Sequence, residues 1–186
     1  MKSVIRKAYF NYENEEKWLN EMSAKGFALT DYSWCRYVFT DCEPGEYIYR
    51  LELLENLPSH PESMKYIRFM EENDVEFVAS YSRWVYFRKK ASNGAFDIYS
   101  DTDSKIKHYN RINRLFLSVA LITFVCCVIN FILPIIHFLQ GQIYPINTLN
   151  IFAGTLNGTL FIILGCVSHP VRIKIKKLKQ QKKIME

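Results

Sequence analysis

From Leu115 to Leu139 the chain reads LFLSVALITFVCCVINFILPIIHFL, 25 residues without a charged side chain. As a helix this run reaches about 37 Å at 1.5 Å per residue, more than the roughly 30 Å hydrocarbon core of a bilayer. Residues 115–139 are therefore expected to form a first transmembrane helix. A second uncharged run, LNIFAGTLNGTLFIILGCVSHPV over 149–171, is also long enough to span. Gly141 and Pro145 give the link at 140–148 the composition of a short loop. The C-terminal half of the chain thus reads as an α-helical hairpin of two spans.

The flanks orient that hairpin, because Lys and Arg near a span resist translocation. Lys105, Lys107, Arg111 and Arg114 precede the first run, in a basic juxtamembrane helix or linker over 101–114. Arg172, Lys174, Lys176, Lys177, Lys179, Lys182 and Lys183 follow the second, in a basic tail over 172–186. The connecting loop holds neither Lys nor Arg. Both termini are expected on the cytoplasmic side, with the six tail lysines at the anionic membrane surface, where each is worth up to about 1 kcal/mol. Gly154 and Gly158 form a GxxxG, which lets helices approach closely, either between the two spans or between copies. Asn130, Asn157 and His137 lie within the spans, and they read as helix-to-helix contacts rather than a transport pathway.

Charge divides the chain near residue 100. Residues 1–100 hold 13 Lys and Arg against 16 Asp and Glu, and the remainder holds 11 against 3. Aromatic stretches such as SYSRWVYFRKK at 80–90 therefore lie in the acidic half, which removes the electrostatic support for nucleic-acid binding. Neither Cys35, Cys42, Cys126, Cys127 nor Cys166 sits in a CxxC pair or a zinc-spaced Cys/His cluster, so no disulfide, metal or cofactor is expected. GxGxxG, GxxxxGK[ST], HExxH and GxSxG are all absent, and His60 has no neighbouring nucleophile. The N-terminal segment has no apolar core of a secretory signal.

The first hundred residues alternate between strand-like and helix-like patterns. VIRKAYF reads as a strand, and NYENEEKWLNEMSAKG as a helix capped by Asn11, carrying Trp18, Leu19 and Met22 and stopped by Gly26. FALTDYSWCRYVFT and YIYRLELLE read as a hairpin interrupted near Asp31 and joined at EPGE, with Pro44 and Gly45 placed for a type II turn. Ser59, Pro61 and Glu62 open a second helix running to about Asn73 and carrying Met64, Ile67 and Met70. VEFVASYSRWVYFRKK then returns as strand, and FDIYS adds a short one. The order is βαββαβ, a ferredoxin-like α+β domain with two helices on one face of an antiparallel sheet. It repeats internally, since YSWCRYVF and YSRWVYF follow the two helices.

WLNEMSAKGFAL at Trp18–Leu29, YVFTDCEPGEYIYRLELL at Tyr37–Leu54 and SRWVYFRK at Ser82–Lys89, in that order, resemble the bacterial family known as domain of unknown function 2812. Phe27 stands where that family often has Trp. The resemblance implies a cytoplasmic-type domain followed by two transmembrane helices in a bacterial inner or cell membrane. It implies no catalytic residues.

Together these readings predict a non-enzymatic, membrane-anchored interaction or sensing protein. Its open sheet face would present Trp34, Arg36, Tyr47, Tyr49, Trp84 and Tyr86 to a membrane or regulatory protein or to a second copy. The alternatives are a small-ligand or lipid-binding domain tethered to the membrane, and an accessory subunit of a transporter held through Gly154 and Gly158.

Overall fold

The computed structural model describes residues 2–99, 101–141 and 144–185. Ser100, at the end of the expected cytoplasmic domain, and Gln142 and Ile143, in the expected loop, lie outside the described residues. The chain divides into two compact units, Met1–Ser104 and Lys105–Glu186.

The first unit runs β1 (Lys2–Arg6), α1 (Tyr12–Ala24), β2 (Phe27–Ser33), β3 (Arg36–Asp41), β4 (Tyr47–Leu53), α2 (Pro61–Glu71), β5 (Val75–Tyr81) and β6 (Trp84–Lys90). It is a βαββ unit used twice. Each copy makes its own three-stranded antiparallel sheet, in the orders β1-β3-β2 and β4-β6-β5. The expected single sheet in ferredoxin-like βαββαβ order is therefore replaced by two sheets.

The physical reason is a pair of tight turns inside stretches that had read as single strands. Trp34 and Cys35, at φ 21° and 57°, fold FALTDYSWCRYVFT back on itself, and Ser82, at φ 54°, does the same for VEFVASYSRWVYFRKK. Turns that match strand twist need positive φ and favour Asn-Gly, so neither sequence announced one. The Pro44–Gly45 turn closes as expected, with the Glu46 amide donating to the Glu43 carbonyl at 3.0 Å and Gly45 at φ 76°. It links β3 to β4 of the other sheet and so makes no hairpin. FDIYS forms no strand among its described residues. Phe96 is instead buried against Leu54, Met70, Val75, Val85 and Phe87.

The repeat is visible in the packing. Trp18 of α1 meets Phe39 of β3 edge-on at 5.7 Å, and Tyr66 of α2 meets Phe87 of β6 edge-on at 6.3 Å. Each sheet carries one register shift, at Leu29/Asp31 in β2 and at Phe77/Ala79 in β5. The two tryptophans of the sequence repeat are not equivalent, however. Trp34 lies in a turn, whereas Trp84 opens β6 as Arg36 opens β3.

Both helices begin as their capping chemistry requires. The Asn11 side chain accepts from the Glu13 amide at 2.9 Å. His60 rather than Ser59 caps α2, accepting from the Glu62 amide at 3.3 Å, with Pro61 in the first turn. Met64 points outward and Met70 is buried. Leu19, Met22, Leu29, Tyr37 and Phe39 form one core with Tyr49, Leu51, Ala79 and Tyr86 of the second sheet, so α1 serves both sheets.

The second unit is the antiparallel helix pair α3 (Thr102–Leu139) and α4 (Pro145–Met185), with α3 starting just before the division. Both are long and apolar enough to cross a membrane, and only 11% of either apolar window is buried. A helix at the centre of a water-soluble protein would bury most of that surface. Pro134 lies within α3 and Pro170 within α4.

Candidate functional site

Strand alternation puts Tyr47, Tyr49, Trp84 and Tyr86 on one face of the second sheet, and α1 lies against that face. Tyr49 is fully buried, and its hydroxyl oxygen accepts from the Leu29 amide at 2.8 Å. Tyr86 is buried and donates to Glu15 Oε1 at 2.7 Å. Trp84 is half-buried beside Tyr12, ring centres 5.4 Å apart, and the Arg88 guanidinium covers the Tyr47 ring at 4.2 Å. The face expected to be open is therefore closed. Tyr49 and Tyr86 belong to the core.

Trp34 and Arg36 lie elsewhere, at the β2–β3 turn and the start of β3. Arg36 faces Asp31 at 3.6 Å. Trp34 is 75% exposed, and among the described residues its one ring contact is edge-on to Tyr81 at 5.9 Å, at the tip of the other hairpin. Tyr32 joins the two hairpins underneath, 4.7 Å from the Tyr37 ring and 4.6 Å from the Tyr86 ring. Trp34 and Tyr81 thus make an exposed aromatic patch at the seam where the two repeats meet.

Beneath that seam lies a buried polar cluster that the amphipathic pattern of α1 does not single out. The Tyr37 and Tyr86 hydroxyls both donate to Glu15 Oε1 at 2.7 Å, one from each sheet. Burial pushes the Glu15 carboxyl above its ordinary range, and the two hydroxyl donors offset part of that rise. Burial and the adjoining Glu15 raise both tyrosines, so they remain protonated donors. The arrangement locks α1 to both sheets.

Glu16, Asn20 and Ser23 form the second missed set. β4 is an edge strand, and its outward amides of Tyr47, Tyr49 and Leu51 donate to Ser23 Oγ (3.2 Å), Asn20 Oδ1 (2.8 Å) and Glu16 Oε2 (3.0 Å). Ser23 and Asn20 also donate to the carbonyls of Tyr47 and Tyr49, at 2.7 and 3.1 Å. Helix side chains thereby satisfy a strand edge that would otherwise invite another strand. The spacing of Glu16, Asn20 and Ser23, one helical face, was the signal available in the sequence.

In the helix pair, a Cβ added to Gly154 would stand 2.9 Å from the Phe131 ring, and one on Gly158 would stand 3.3 Å from Cys127 Sγ. Both glycines therefore face α3 of the same chain. Phe124 and Phe161 meet at 5.3 Å, His137 Nδ1 and Asn147 Oδ1 at 2.8 Å, and Arg172 Nε donates to Asn113 Oδ1 at 3.3 Å. Lys174 stands 5.1 Å over the Tyr109 ring. Lys176, Lys177, Lys179 and Lys183 are exposed, and Lys182 is half-buried. α4 continues unbroken through all of them, so beyond Val171 it extends about 20 Å further.

All five cysteines are free, and no group of three or more metal-ligating residues occurs among the described residues. No curated protein and no solved structure matches the chain. The family described as protein of unknown function (DUF2812) matches residues 11–121, from the cap of α1 into the apolar run of α3. That match spans more than half of the chain and takes in both hairpins, both short helices and the start of the long helix pair, so the protein belongs to the DUF2812 family.

Proposed function

We propose that this protein is a bacterial multi-pass membrane protein, anchored in the cell membrane by α3 and α4, whose first unit is a non-enzymatic interaction or sensing module on the cytoplasmic side. Support for the orientation comes from charge. The basic residues before Leu115 and after Val171 lie at one end of an antiparallel pair, and the loop at the other end has none.

The observation that carries the interaction reading is Trp34. A bulky aromatic at φ 21° occupies a turn position suited to Asn or Gly, at a cost of order 1–3 kcal/mol, and it leaves its ring in solvent. Trp and Arg dominate the energetics of protein interfaces, and Arg36 stands two residues away. The Gly154/Gly158 face is filled by Phe131 and Cys127 of the same chain, so it lends no support to a transporter subunit held through that motif. Nor does the buried Tyr49/Tyr86 face support a ligand-binding sheet.

The test is co-purification from native membranes with Trp34→Ala combined with Arg36→Ala. Loss of the recovered partner with an unchanged melting temperature is the expected result. Unchanged recovery contradicts the proposal.

A further inference from the structure

The two sheets of the first unit have four edges, and three of them are covered. The edge of β4 is satisfied by Glu16, Asn20 and Ser23. The edges of β2 and β5 face one another, where the Leu29 amide donates to the Tyr49 hydroxyl and the Leu29 carbonyl accepts from Arg88. The outer edge of β1 is bonded by nothing among the described residues.

The ladder between β1 and β3 fixes what that edge presents. The Lys7 amide donates to the Cys35 carbonyl at 2.9 Å, and the register runs without a shift from the Arg6–Arg36 pair to the Lys2–Thr40 pair. Bonded and unbonded residues alternate along an antiparallel pair, so Ser3, Ile5 and Lys7 bond towards β3, and the amides and carbonyls of Lys2, Val4 and Arg6 point outward. The side chains of the same three residues share one face of the sheet, and all are exposed, Val4 by 52%. Neither Lys2 nor Arg6 forms an ion pair among the described residues. The edge thus offers a cation, an apolar side chain and a second cation at alternate positions, beside a row of unused backbone donors and acceptors.

We propose that β1 takes up an extended segment of a different protein as an added antiparallel strand, with acidic residues opposite Lys2 and Arg6 and an apolar residue opposite Val4. The inference rests on the interaction reading above and gives the chemistry of its partner. Main-chain hydrogen bonds hold such a strand, and the alternate side chains select it. Opposite charges and apolar side chains set directly across from one another are favourable pairs. The same cations exclude competitors. A second β1 laid antiparallel on the first sets Lys2 against Arg6, and like charges directly opposite are destabilising. Within this chain Asp97, Tyr99 and Asp101 alone place acids so spaced around an apolar or aromatic residue. Both of those carboxylates serve their own turns, accepting from the Tyr99 amide at 3.2 Å and the Ser104 amide at 2.7 Å. Trp34 directly precedes Cys35, so a segment that runs past Arg6 comes to the surface carrying Trp34.

The test uses the full chain in a non-ionic detergent and a fluorescein-labelled peptide, TETVTET, read by fluorescence anisotropy. Saturable binding is expected, at least tenfold weaker for TKTVTKT and for TETPTET, whose central proline keeps the charge and removes a strand hydrogen bond. Val4→Pro removes an outward amide of β1 and no bond to β3, so binding is expected to fall at least tenfold at an unchanged melting temperature. Lys2→Glu with Arg6→Glu is expected to reverse the preference, so that TKTVTKT binds in place of TETVTET. Absence of TETVTET binding overturns the inference. Binding that neither the peptide proline nor the charge reversal changes overturns it as well. Either failure leaves the interaction reading to be decided by the Trp34 and Arg36 co-purification.

Discussion

Tyr37 of one sheet and Tyr86 of the other donate their hydroxyl protons to the same oxygen of Glu15, each at 2.7 Å. The two repeats are thus joined through a single buried carboxylate on α1, which also contributes Leu19 and Met22 to the shared core. Removing that carboxylate leaves two buried hydroxyls to find new partners, at roughly 1–3 kcal/mol each. Glu15→Ala is predicted to destabilise the first unit by about 3 kcal/mol. Trp18, Trp34 and Trp84 are its three tryptophans, and the chain has no others, so selectively excited tryptophan fluorescence of the full chain in detergent follows this unit alone.

Glu15 also sets a pH dependence. Its carboxyl is raised in the folded chain from an ordinary value of 4.5. The folded chain therefore holds that proton more tightly than the unfolded chain does. The stabilisation is fully present below about pH 4.5 and is lost as pH rises through the folded value. Glu15→Gln fixes the neutral form, so its melting temperature is predicted to gain on wild type as pH climbs from about 4 to about 7. A difference that stays constant across that range contradicts the prediction.

At the edge of β4, Asn20→Ala removes the acceptor of the Tyr49 amide and one of the two donors to the Tyr49 carbonyl, which keeps Arg50 Nη1 at 2.9 Å. The predicted loss is about 2 kcal/mol in a denaturant titration, accompanied by aggregation as the strand edge opens. Lys17→Ala lies on the same helix, where the lysine forms an exposed pair with Glu21 at 4.0 Å, and it is predicted to change stability by under about 0.5 kcal/mol.

The turn at Trp34 makes the opposite prediction. Trp34→Gly relieves a positive φ and gives up one ring contact, so stability is expected to hold or to rise by about 1 kcal/mol while partner recovery falls. A variant that melts earlier and still captures the partner would show that Trp34 is a packing residue.

Between the long helices, Gly154→Leu drives a side chain into Phe131 and is predicted to separate α3 from α4, with partial recovery on adding Phe131→Ala. Gly165→Leu meets nothing within 4 Å and is predicted to be silent. A cysteine cross-link between the two helices, scored in detergent, reads both.

The long helices were legible in the sequence because a 25-residue uncharged run has few other outcomes. The short helices were legible because Asn11, Pro61 and Gly26 punctuate them. The division into two sheets was hidden by turns whose residues, Trp34-Cys35 and Ser82-Arg83, carry no turn signature, so two hairpins read as two strands. With those turns hidden, the α1 face of the second sheet has the pattern of an open sheet face. Tyr49 and Tyr86 are aromatic on a strand whether they face solvent or a helix, and only the position of α1 distinguishes the two cases. Glu15 and Glu16 were obscured for a related reason, because acidic residues in a first helical turn are what an exposed helix would also have.

Photo-crosslinking from native membranes, with a photoreactive residue at position 34 in one strain and at position 49 in another, asks whether the repeat seam is the docking surface. Defined protein adducts from position 34 and none from the buried position 49 are predicted. Adducts absent at position 34 would contradict the interaction role proposed for the first unit.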